Sequence, residues 1–157
     1  MTFIIISDGI DLSAGGIAAF SGVLVASLLK DFNFPVPFAI FCGLVAGLAL
    51  GLFSGVVISK GKVPPFIATL VMMNIARGLA FIYKEAQPIY DLPANFKMLG
   101  SGYIGPIPIQ VVILVGIMII AHIVLKKTRF GRRIYAIGGS EESARLSGIK
   151  TDNLRIS

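Results

Sequence analysis

Between Phe38 and Ile58 the chain carries no charged residue. As an α-helix rising about 1.5 Å per residue, that stretch can cross the roughly 30 Å hydrocarbon layer of a bilayer. Composition shows that lipid is the expected solvent. Of 157 residues, 55% are hydrophobic and only 14% charged, with a mean hydropathy of +0.87, whereas soluble domains carry about 25% charged residues. A soluble fold of this length lacks the interior to hide so much apolar surface.

Three further apolar stretches accompany the first. Phe3 to Leu29 is interrupted at SDGIDLSAGG, Phe66 to Tyr83 only by Asn74 and Arg77, and Ile109 to Leu125 ends just past His122. Prolines in KDFNFPVP (Lys30 to Pro37) and SKGKVPP (Ser59 to Pro65) stop helices between them, since a proline lacks the amide hydrogen a helix interior needs. Lys84 to Pro108 reads as a longer loop. The expected fold is all-α, a polytopic transmembrane helix bundle of about four membrane segments with one broken helix. MTFIIISDGID lacks the basic start of a signal peptide. Residues 1–157 read as a single transmembrane domain, an internal piece of a longer protein.

Charge sets the expected orientation. Lys60, Lys62, Lys126, Lys127, Arg129, Arg132 and Arg133 fall on one side of alternating spans, with Arg145, Lys150 and Arg155 beyond. The other side holds Lys30, Lys84 and Lys97, offset by Asp31, Glu85 and Asp91. Cytoplasmic loops carry the excess of Lys and Arg, so the first side is expected inside. The net charge of +6 is thereby explained by loops between apolar runs, which argues against a nucleic-acid partner.

Gly43, Gly47, Gly51 and Gly55 recur at every fourth position in the second stretch. On a helix they share a face and allow close backbone approach, the usual basis of helix association in lipid. GIDLSAGG places Asp11 and Ser13 between two apolar runs. A carboxylate retained at membrane depth faces protein or water, and either residue can cap the free N–H groups of the helix that follows. Two readings stay open there: a hinge or lining of a transport path, with a positive helix end facing a cavity, or a capped helix start alone. Asn74 and Arg77, three residues apart, share a helix face. They read as pathway residues, or as an anchor in which Arg77 snorkels outward or pairs with a carboxylate such as Asp11.

In GGSEESARLSGI, Ser140 suits a helix N-cap, Glu141 and Glu142 the first turn, Arg145 the last and Gly148 the left-handed position after the end. A two-turn helix of this kind is unstable alone in water. It is either an ordinary loop helix or a docking element for a soluble partner. Cys42 is the only cysteine and His122 the only histidine, so no disulfide or metal site is expected. No catalytic triad appears, and no phosphate-cradling glycine loop followed by Lys and Ser or Thr. No cofactor is expected, and energy for uphill transport would come from an ion gradient or another subunit.

IISDGIDLSAGGIAAFSG, SKGKVPPFIATLVMMNIARGLAFIY and TRFGRRIYAIGGSEESARLSGI together resemble, in order and spacing, the ribose-type permeases, the membrane subunits of ATP-binding cassette importers for monosaccharides. The resemblance covers nearly the whole chain, although family members are about twice as long and SAGG stands where SVGS is commoner. It implies a second permease subunit, a cytoplasmic ATPase that binds the ATP, an external sugar-binding protein and a multi-pass place in the bacterial inner membrane. It also implies that residues 140–148 form a cytoplasmic coupling helix, with Ser140, Glu141, Glu142, Ala144, Arg145, Leu146 and Gly148 as its contact set. Asp11 and Ser13 would lie near the central path. The rival expectations are an ion-coupled secondary transporter with Asp11 as cation ligand, a membrane-embedded enzyme, for which the sequence offers no reactive cluster, and an importer for branched-chain amino acids or another small polar solute.

Overall fold

A computed structural model describes residues 10–139. The described elements are α1 (Ala14–Lys30), α2 (Val36–Gly61), α3 (Pro65–Tyr83), α4 (Ala94–Ser101), a ribbon of β1 (Tyr103–Ile104) and β2 (Ile107–Pro108), α5 (Ile109–Lys127) and α6 (Arg129–Gly139). Proline starts most of these helices. Pro35, Pro64, Pro93 and Pro108 occupy the N-cap positions of α2 to α5 with φ between -53 and -62. Their missing amide hydrogen falls where no intrahelical partner exists, and their fixed φ presets the turn into the helix.

Three helices, α2, α3 and α5, are long and apolar enough to cross a membrane. By length, α2 reaches roughly 39 Å and the other two roughly 28 Å. The fourth expected segment is represented by α1, an apolar helix of 17 residues. It begins only after residues 10–12, which are not helical. A helical half before that break falls on residues outside those described.

Although the shortest of the four, α1 is the hub, packed on both α2 and α3. Its neighbours fix the directions. Thr69 of α3 lies beside Ile10, Met73 beside Gly16 and Tyr83 beside Ser27, so α1 and α3 run parallel. Gly43 meets Val25 while Gly47 meets Ile17, so α2 runs antiparallel to both. This alternation follows the charge count, gathering Lys60 and Lys62 at one end and Lys30, Asp31, Lys84 and Glu85 at the other.

Small residues bring the helices together. Ala39 and Ala76 are fully buried, and Ala26, Ala68 and Thr69 nearly so. A Cβ on Gly16 would lie 2.6 Å from Met73 O, and one on Gly43 would lie 2.3 Å from Val25 Cγ2. In lipid, this close approach supplies the dispersion contact that the hydrophobic effect supplies in water. The expected four-glycine seam is only partly of this kind. Gly43 and Gly47 face α1, Gly55 is buried, and Gly51 is open. Each four-residue step turns about 40° on a helix of 3.6 residues per turn, so a strict fourfold repeat cannot keep one neighbour.

The stretch expected as a plain loop, Lys84 to Pro108, is structured. Phe96 of α4 and Leu92 pack on the Val25, Leu29 and Ala39 cluster at the outer ends of α1 and α2. The antiparallel ribbon pairs Ile104 with Ile107 across Gly105, at φ 62. Phe32 and Phe34 in the turn between α1 and α2, and Phe38 in the first turn of α2, are all exposed, with ring centroids 6.1 and 5.1 Å apart in succession.

Helix α5 packs chiefly on α4, the ribbon and α6, and none of its residues is buried. Bare on almost every side, it needs lipid or further helices as cover.

Candidate functional site

The polar groups collect at three levels along the bundle. At the basic end lies the chain break before α1. The Asp11 carboxylate accepts the Ser13 N–H at 2.7 Å and the Ser13 hydroxyl at 2.6 Å from the same oxygen. Ser13 is itself buried and αR, makes no cap hydrogen bond from its side chain, and offers its carbonyl to Ile17 N–H at 2.9 Å. Of the two capping candidates, Asp11 therefore closes the turn and Ser13 is the residue it holds. Thr69 Oγ1 lies 2.8 Å from Pro65 O and 3.3 Å from Ile10 O. Its single proton serves the nearer carbonyl best, while its position seats the broken segment against the start of α3.

Halfway along α3, Asn74 Nδ2 donates to Leu70 O at 2.9 Å within its own helix. Arg77 is exposed and makes no ion pair with Asp11, which removes that pairing as its explanation. It lines instead an open groove between α1 and α3 of about 450 Å³, with Ala19, Val23, Phe81, Lys84 and Gln87. This groove joins an apolar wall and an aromatic ring to guanidinium, ammonium and amide donors, a lining suited to a small polar solute with several acceptors. An arginine at this depth faces water or protein rather than lipid.

At the far end, Asp31 fastens α1 to α3. Its carboxylate takes a hydrogen-bonded ion pair from Lys84 and a 2.5 Å hydrogen bond from Ser27 Oγ, with Tyr83 Oη 3.4 Å from that hydroxyl. The Lys84 hydrogen bond first, and the Ser27 bond second, hold the Asp31 carboxyl below its ordinary value of 3.8. Lys30 Nζ donates to Tyr90 O at 2.7 Å and lies 3.7 Å from Asp91. Sequence reasoning counted these charges as balanced but did not pair them, because Asp31 and Lys84 are far apart in the chain.

The coupling-helix set, Ser140, Glu141, Glu142, Ala144, Arg145, Leu146 and Gly148, lies outside the described residues. What leads up to it is described. Thr128, extended at φ -100 and ψ 160, breaks α5 from α6. Its hydroxyl donates to Val124 O at 2.6 Å and accepts Gly131 N–H at 3.2 Å, so one side chain closes one helix and caps the next. Gly131 approaches so closely that a Cβ there would lie 2.0 Å from Leu125 O. The TRFGRR stretch thus builds a tight elbow, a role its basic composition does not announce.

Parallel and antiparallel apolar helices, with a non-helical segment before α1 and an arginine-lined groove between α1 and α3, define a membrane-type helix bundle. Comparison with known proteins specifies the kind. The chain belongs to the family described as "Branched-chain amino acid transport system / permease component", which matches residues 1–157. It is 45% identical to the ribose import permease protein RbsC of Bacillus subtilis, over 99% of this chain and 49% of that protein. It is 34% identical to the fructose import permease protein FrcC of Rhizobium meliloti, over 99% of this chain and 46% of the relative. It is 35% identical to the L-arabinose ABC transporter permease protein AraH of Azospirillum brasilense, with the same coverage, 99% and 46%. The chain spans about half the length of these curated relatives. No solved structure matches it.

Proposed function

We propose that the chain is part of the membrane-spanning permease subunit of an ATP-driven monosaccharide importer in the bacterial inner membrane. The observation that carries this reading is the identity with ribose, fructose and arabinose permeases across 99% of the chain. The family description also names branched-chain amino acids, and these sugar permeases are what favours a sugar over that alternative.

In this reading the subunit pairs with a second permease subunit, a cytoplasmic ATPase binds the ATP, and an external sugar-binding protein delivers solute. Asp11 and Ser13 fix the break beside the path, Arg77 offers its donors to the solute from the groove wall, and Asn74, three residues earlier, borders the path on the same helix face. The Asp31–Lys84 pair ties the ends of α1 and α3 together. Residues 140–148, following the elbow, act as the coupling helix. ATP binding closes the ATPase dimer and shifts the bundle between inward-open and outward-open populations, each favoured by a different closure of the ATPase.

The test is made in the complete subunit, co-expressed with a candidate partner ATPase of the cassette type. Arg145→Glu and Gly148→Pro are expected to cut ATPase co-purification and sugar uptake without changing membrane insertion. Unchanged association and uptake in both variants would remove the docking role. Uptake that collapses with an uncoupler while ATP is held constant would favour an ion-coupled carrier.

A further inference from the structure

At the basic end, α5 and α6 enclose a second groove of about 420 Å³, lined by His122, Leu125, Lys126, Arg132 and Tyr135. The transport reading does not use it. We propose that it binds the phosphate headgroup of an anionic phospholipid of the cytoplasmic leaflet.

Three features point to that occupant. The first is charge. Lys126 and Arg132 both line the groove, and Lys127 and Arg133 stand next to them in the chain without an acidic residue between Lys126 and Gly139. A cationic groove between helices at the cytoplasmic surface attracts anionic headgroups. The second is shape. Val111, Val115 and Met118 precede His122 at a 4-3-4 spacing, which keeps all four on one face of α5. Their exposures are 44%, 48% and 62%. The apolar surface of α5, bare on this face as on the others, therefore continues from the groove along the helix, as acyl chains below a phosphate require. The third is rigidity. The Thr128 hydrogen bonds and the close approach of Gly131 to Leu125 brace the elbow, so the backbone positions that carry the two cations are set before any ligand arrives. Tyr135, 54% exposed, adds an amphipathic ring to the groove lining, the kind of side chain enriched where membrane meets water. The inference rests on α5 crossing the membrane with its basic end in the cytosol.

The test uses the membrane-inserted chain in nanodiscs of mixed phosphatidylglycerol and phosphatidylethanolamine, with retained lipids counted by native mass spectrometry. The expected result is preferential retention of phosphatidylglycerol. Lys126→Gln and Arg132→Gln are each expected to lower that preference roughly fivefold, and together about 30-fold, while a Lys60→Gln/Lys62→Gln control leaves it intact. Circular dichroism checks that helix content is kept. Equal retention of both lipids, or an undiminished preference in the double variant, would overturn the proposal. So would displacement of the lipid by inorganic phosphate alone, which would make the groove a site for a soluble anion. Failure of α5 to span would appear differently, as loss of both lipids together.

Discussion

Replacing Gly43 by alanine probes how the α1–α2 contact is made. The added methyl would sit 2.3 Å from Val25 Cγ2, where ordinary contact begins near 3.4 Å, so about 1.1 Å of room must be found. Overpacking of this kind costs about 1–3 kcal/mol, while alanine in place of glycine in a helix gains up to about 1 kcal/mol. Gly51→Ala takes the same gain without the clash, because nothing lies within 4 Å of its added Cβ. The two variants should therefore differ by about 1–3 kcal/mol, Gly51→Ala being the more stable. The obstacle at Gly43 is a side chain, so Val25→Ala should relieve it, giving a favourable coupling of about 1–3 kcal/mol in a double-mutant cycle. At Gly16 the obstacle is Met73 backbone, with O at 2.6 Å and Cα at 2.9 Å, so Met73→Ala should not rescue Gly16→Ala. Detergent-titrated unfolding in mixed micelles, followed by circular dichroism, measures the five single and two double variants. Equal stability of Gly43→Ala and Gly51→Ala, or no rescue by Val25→Ala, would refute the packing argument.

Asp31, with its lowered pKa, contributes stability that is present above its unfolded value near 3.8 and lost as pH falls through the lower folded value. The melting temperature of Asp31→Asn should fall below that of the unmodified chain at pH 7, and the two should converge in strong acid. Thr128→Val removes the cap and the closing hydrogen bond of the elbow, at a cost of about 1 kcal/mol, read as faster hydrogen exchange across residues 129–139. Gly131→Ala has no room for its methyl against Leu125 O, and should change the distance between spin labels on α5 and α6.

Much of the fold was legible because apolar run length and proline placement act locally. The charge-free Phe38 to Ile58 run lies inside α2, and Pro64, Pro93 and Pro108 mark helix starts directly. Less legible was whatever depends on a neighbour far along the chain. Gly43 and Gly51 look alike in sequence, and only the position of α1 separates them. Asp31 and Lys84 were counted as loop charges, and their pairing needed α1 and α3 to end together. The α4 helix and the ribbon escaped notice because Phe96 and Leu92 find their packing on distant Val25 and Leu29. Asp11 was recognised as unusual, yet its choice of Ser13 over Arg77 rests on geometry. The basic TRFGRR stretch hid an elbow because its determinants, Thr128 and Gly131, are outnumbered by arginines.

Topology is tested most directly by impermeant maleimide labelling of single cysteines in intact cells, in a Cys42→Ser background. A cysteine replacing Asp91 should react from outside, and one replacing Lys62 should react only after the membrane is permeabilised. Labelling of the Lys62 position in intact cells, with protection at Asp91, would invert the bundle and contradict the assignment of the basic end to the cytosol.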